Sequence, residues 1–211
     1  MWFLRGSRSE PERALRAPYD GTTGRGMVMQ LLEDADDPTF RSSLDAATKA
    51  SSAFALGAIT DEVERLAAEN GRHITCLRCA RRTLPSTDPA SPHVNCHAYA
   101  LGLYRTLEFQ RILTTPDFDF IDELIAGDLL IERLPCDARD NDLVVYRSAT
   151  GKVTHSGFLV DRFVHSKWGE GSLFEHTLFA APARYGSDVK FFCPPKSDEV
   201  VAAYLAKYGA A

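Results

Sequence analysis

After Pro135 the spacing of apolar residues changes, and this change constrains the fold more than any other feature of the chain. Before it, apolar side chains recur at helical intervals; after it, they alternate in short runs. Asp37-Pro38 is a helix start with Asp as the cap and Pro at the first helical position. Phe40, Leu44, Ala47, Ser51 and Phe54 follow on one face, and Gly57 is expected to end that helix. Thr60 is expected to cap a second helix carrying Val63, Leu66 and Ala67, stopping at Asn70-Gly71. Arg72 to Pro92 reads as loop. A helix opens at Cys96 with Asn95 as its cap, and Ala100, Leu103, Leu107 and Arg111 trail along the same side. Another helix follows Asp117. Strands are expected at Asp142–Tyr146, Thr154–Val160, Arg162–Lys167, Leu173–Leu178 and Val189–Cys193. Ser197 is expected to cap a last helix that ends at Gly209. Helices first and strands second is an α+β order, not the alternation of a parallel doubly wound fold.

The length of 211 residues suits one domain with an appendage. Residues 1–36 are polar and aperiodic and read as a mobile tail, which leaves 37–211 as the domain. The net charge of -5, with no basic stripe, speaks against nucleic acid as a partner. No apolar run approaches the ~20 residues that span a bilayer, so no membrane partner is expected. The start is too short in apolar residues for a signal peptide, so the chain is expected to be cytoplasmic, or exported without a cleavable signal. Five cysteines do not make a disulfide framework.

Cys96 and two histidines carry the chemistry. A thiol at a helix start meets unpaired backbone N–H groups and the positive end of the dipole. The same amides can donate to an oxyanion on a substrate carbonyl. His155 heads a strand in which Gly157 signals a close approach. His165 lies ten residues on. A two-residue loop at Asp161-Arg162 would turn these histidines to opposite faces; a three- or five-residue loop would put them on one. Thiol, imidazole and an orienting group are the parts of nucleophilic acyl transfer.

These residues resemble the NlpC/P60 superfamily of papain-like cysteine peptidases and amidases. Asn95-Cys96 stands at the nucleophile position, and Asn141-Asp142-Leu143-Val144-Val145-Tyr146 matches the preceding strand with Asn for Gly. His155-Ser156-Gly157-Phe158 matches the base strand, and Val164-His165-Ser166 the third site. The similarity covers about residues 90–170. It implies an α+β papain-like domain with N-terminal helices packed on a small antiparallel sheet. It also implies cleavage of an amide bond by a Cys96-His155-His165 triad, without cofactor or metal. The implied partner is a peptide or other amide, the cell-wall peptide being the family's usual substrate. Asn95, Tyr99 and Trp168 are the expected substrate contacts. His176 is the alternative orienter, or a surface residue. The start Asn-Cys-His-Ala departs from the family's Asp-Cys-Ser-Gly and motivates a second reading, an inactive binding module of the same fold. A third reading is a zinc-stabilised interaction protein. Cys76-x-x-Cys79 is half a zinc site that His93, Cys96 or His97 could complete, and a zinc on Cys96 would exclude its catalysis.

Overall fold

The computed structural model describes residues 36–49, 56–81, 83–169 and 171–209. The expected tail falls outside them, apart from Asp36. Among the described residues, helices cover both faces of a seven-stranded sheet whose pairings are all antiparallel. The class is α+β. The elements in chain order are α1 (Pro38–Lys49), α2 (Leu56–Glu69), β1 (Ile74–Arg78), α3 (Cys96–Ala100), α4 (Leu107–Ile112), α5 (Phe118–Ala126), β2 (Glu132–Arg133), β3 (Leu143–Arg147), β4 (Val153–Val160), β5 (Phe163–Lys167), β6 (Leu173–His176), β7 (Asp188–Phe192) and α6 (Ser197–Tyr208). The strand order is β1-β6-β5-β4-β3-β7-β2.

Alternation along the central strands builds two cores. Val144 and Tyr146 of β3, Leu159 of β4, Val164 of β5 and Phe174 of β6 face one way. There they pack with Phe40 and Leu44 of α1, Val63 and Ala67 of α2, and Tyr185. Leu143, Val145 and Leu173 face the other way, under Ala98 and Tyr99 of α3, Phe120 and Leu124 of α5, and Val200 and Tyr204 of α6. We call these the first and second faces.

Several elements depart from the sequence reading for identifiable reasons. Gly57 and Thr60 lie inside α2 and do not bound it. Arg72–Pro92 is not all loop, because Ile74–Arg78 pairs with β6 as an edge strand. Five residues with a mixed burial pattern carry too little period to announce a strand. The helix opening at Cys96 does not run to Arg111: it ends at Ala100, and Gly102 turns the chain at φ 70° before α4. Ser197 is the first helical residue, with Lys196 at the cap position. The sheet is larger than expected and sandwiched between helices.

Candidate active site

Cys96 is the first residue of α3, and the cap is built by its neighbour. Asn95 is extended, and its Oδ1 accepts the backbone N–H of Ala98 at 2.8 Å. Its Nδ2 donates to the carbonyl of Pro116 at 2.6 Å, which ties the helix start to the loop before α5. Both ends of the Asn95 amide are thereby committed to structure.

Cys96 is buried, and the nearby backbone N–H groups of Ser156, His97 and Cys96 itself favour its thiolate. Two of these come from the unpaired first turn of α3. The third comes from β4, where pairing with β5 has ended at Gly157–Ser166. Burial pushes the thiol up to about 11, against the pull of these amides and of the Lys167 charge. The resting group is a neutral thiol inside a nest of donors.

His97 follows on the same short helix. Its Nδ1 and the Ser156 hydroxyl are 2.8 Å apart, its ring meets Phe118 edge-on, and its Nε2 has no partner. Burial lowers its pKa to about 4.

His155 is fully buried on the first face, beside Tyr146 across β3. Tyr185 stacks on it at 3.8 Å and 5° between planes. Neither ring nitrogen has a hydrogen-bond partner. Desolvation, with the His176, His97 and Arg184 charges, holds its pKa well below 6.5, so it is neutral at pH 7. Tyr185 is placed by Arg41 of α1. This buried guanidinium donates to the carbonyls of Ala181 at 2.9 Å, of Pro182 at 3.4 Å and of Gly186, and pairs with Asp36.

His165 is not brought to His155. Val160 pairs with Phe163, so Asp161-Arg162 is the two-residue turn, with Asp161 at φ 54°. His165 therefore lies opposite Phe158 on the second face. Its Nε2 is 2.9 Å from Glu175, whose other oxygen is 2.8 Å from His73. Burial raises the Glu175 pKa, but the two imidazoles outweigh it and hold the carboxyl lower than usual.

His176 shares the first face with His155 and is fully buried, contrary to the surface placement. Its Nδ1 lies 2.8 Å from the Thr177 carbonyl, which only accepts, so Nδ1 carries the proton. Nε2 then accepts from the Ser166 hydroxyl at 2.8 Å, which in turn accepts from Trp168 Nε1 at 3.0 Å. Both His176 nitrogens are used, and neither turns to His155.

Trp168 is a buried core residue, packed on Phe174 and edge-on to His176 and Tyr185. Tyr99 is buried between Tyr104 and Phe158 on the second face. The close approach at Gly157 is the neighbouring strand itself, because a Cβ would meet His165 O at 2.7 Å and Ser166 Cβ at 2.8 Å. The Cys76 and Cys79 sulfurs are 3.4 Å apart, and among the described residues no three metal-ligating side chains come together. The described residues contain no helix long and apolar enough to cross a membrane.

Sequence reasoning missed Tyr185, Arg41 and the Ser156 amide. Ser156 stands inside the quoted base motif, whereas Tyr185 and Arg41 give no local signal. Compared with family models, with curated proteins and with solved structures, the chain matches none.

Proposed function

We propose that this chain is a cysteine hydrolase of amide bonds, an NlpC/P60-like, papain-like enzyme with Cys96 as nucleophile and His155 as base. The observation that carries the reading is the buried Cys96 at the first position of an Asn95-capped helix, where nearby backbone N–H groups favour its thiolate. A neutral thiol and a neutral imidazole work by general-base catalysis and not as a standing ion pair. The sulfur attacks the substrate carbonyl carbon while its proton passes to a His155 ring nitrogen. The carbonyl oxygen becomes an oxyanion within reach of the helix-start amides. Collapse expels the amine, which takes the proton back from His155. Water, deprotonated by the same imidazole, then releases the acid from the thioester. The thiol–imidazole contact forms with substrate in place, as catalytic hydrogen bonds often tighten only there. Stacking on Tyr185 takes the orienting role that neither His165 nor His176 is free to fill. The substrate class that the resemblance carries is a peptide amide, cell-wall peptide included.

One observation favours the inactive binding module instead: both His155 nitrogens are unpartnered, so no thiol–imidazole hydrogen bond exists. Alkylation by iodoacetamide, mapped by peptide mass, separates the two. The enzyme reading expects Cys96 to react faster than the exposed Cys136 and to slow in His155→Gln. Labelling of Cys96 no faster than Cys136, and indifferent to His155→Gln, would establish the idle module.

A further inference from the structure

Cys76 and Cys79 lie apart from the site just described. In a regular strand, residues three apart are roughly 10 Å distant and point to opposite faces. Here the β1–β6 register shifts between Cys76 and Arg78, and the strand ends at Arg78. This bulge brings the sulfurs to 3.4 Å, and both thiols are free.

The pair is held on both flanks. The Cys76 backbone N–H donates to Glu64 of α2 at 2.7 Å. The Ala80 backbone N–H donates to the Ser172 hydroxyl at 3.0 Å, and that hydroxyl sits 3.0 Å from the Thr60 hydroxyl of α2. Arg78, between the cysteines, is turned to Asp88 by a two-nitrogen ion pair. The two thiols differ in access: Cys79 is exposed and Cys76 half-buried.

We propose that Cys76 and Cys79 form a thiol–disulfide exchange site whose substrate is a small solvent-borne disulfide of the glutathione class. The Cys79 thiolate attacks one sulfur of the small disulfide. A Cys79–S bond forms, the small S–S bond breaks, and the first thiolate leaves, taking up the proton that Cys79 gave to solvent. The Cys76 sulfur then attacks Cys79 Sγ and expels the second small thiolate, which takes the Cys76 proton. Two protein thiols are oxidised to one disulfide, and one small disulfide is reduced to two thiols. The second step moves the sulfurs from 3.4 Å to the about 2.05 Å of a bond, a matter of side-chain rotation. Burial and the neighbouring Cys79 push the Cys76 thiol up to about 12, which leaves the exposed Cys79 to make the first attack.

The test equilibrates the full chain over a series of reduced-to-oxidised glutathione ratios. Remaining thiols are then blocked with N-ethylmaleimide and the peptides mapped by mass. The expected result is that Cys76 and Cys79 are lost together, as a peptide two hydrogens lighter. This occurs at an oxidised-glutathione level at least about tenfold below that needed to modify Cys136, because the second step is intramolecular. Excess reduced glutathione reverses it. Cys76→Ser should stall Cys79 as a glutathione adduct. Cys79→Ser, at an exposed position that need not disturb folding, should leave Cys76 unmodified. A stable glutathione adduct on Cys79 in the natural sequence, or a pair oxidised no more readily than Cys136, would overturn the proposal.

Discussion

On the first face of β4 the imidazole of His155 is buried, stacked on Tyr185 and without a hydrogen-bond partner. On the second face the imidazole of His165 is partly exposed and bonded to Glu175. Ten residues and a two-residue turn separate them. One turn length decides which histidine is kept dry and which joins a solvated cluster around a carboxylate. A neutral imidazole whose one acceptor nitrogen is unused is a proton acceptor in waiting. An imidazole already bonded to carboxylate is a structural fastener. The first face itself holds two answers to burial: His176 is fully satisfied by Ser166 and Thr177, whereas His155 is left open. Buried polar groups without partners are rare enough to call for an explanation, and proton transfer supplies one.

The sharpest way to break this comparison is to remove each imidazole in turn. His155→Ala is expected to slow Cys96 alkylation about 100-fold, the low end of general-base contributions. His165→Ala should change it less than about twofold, since its only effect on Cys96 is through the sheet. A larger loss at His165 would move the base to the second face and sink the mechanism.

Acid should then find the buried imidazoles before the solvated cluster. His97 and His176 have folded pKa values lowered to about 4 by burial, and His155 is held well below 6.5. A histidine with a folded pKa below its unfolded value binds its proton more readily in the unfolded chain. Stability is therefore lost as pH falls from about 6.5 toward 4, and the loss levels off below the folded pKa. His97 and His176 each contribute roughly 3 kcal/mol, so a drop of several kcal/mol is expected between pH 7 and 4.5. Urea unfolding at these two pH values measures it. A flat profile would mean that these rings are hydrated.

A smaller effect tests how tightly the two strands meet between the faces. Gly157→Ala puts a methyl 2.7 Å from His165 O and 2.8 Å from Val164 Cγ1. The expected cost is about 2 kcal/mol, read as a lowered melting temperature. Gly151→Ala has no atom near its Cβ and pays only for its φ of 78°, so it should cost less.

What could be read from the sequence was local. The Asn95 cap and the start at Cys96, the Asp117 cap, and strands β3 to β7 within a residue or two all announce themselves by period or by a capping residue. What could not be read depended on partners distant in sequence. β1 is a strand because β6 offers it an edge. Tyr185 reaches His155 because Arg41, more than 100 residues earlier, grips the carbonyls around it. The facing of His165 depended on the turn at Asp161-Arg162, where the sequence admitted loops of either parity. The resemblance to a papain-like triad named His165 as third member, and the turn puts it on the face opposite His155.

The smallest expected effect is at Glu175, and it sharpens the comparison from the second face. Its carboxylate joins His73 of the loop before β1 to His165 of β5, at 2.8 and 2.9 Å. All three side chains retain access to water, so the pairs are screened and Glu175→Gln should cost less than about 1 kcal/mol at pH 7. Its pH signature differs in sign and window from that of the buried histidines. The folded carboxyl titrates below its unfolded value, so its contribution is present above about 4.5 and is lost as pH falls through the lower folded value. Glu175→Gln should leave the loss between pH 6.5 and 4.5 unchanged and flatten only the part below it. Guanidinium unfolding at pH 7, 5 and 3.5 on both proteins gives the answer. If the variant instead removed the loss above pH 4.5, the acid sensitivity would belong to the solvated cluster, and the buried imidazoles would not be its source.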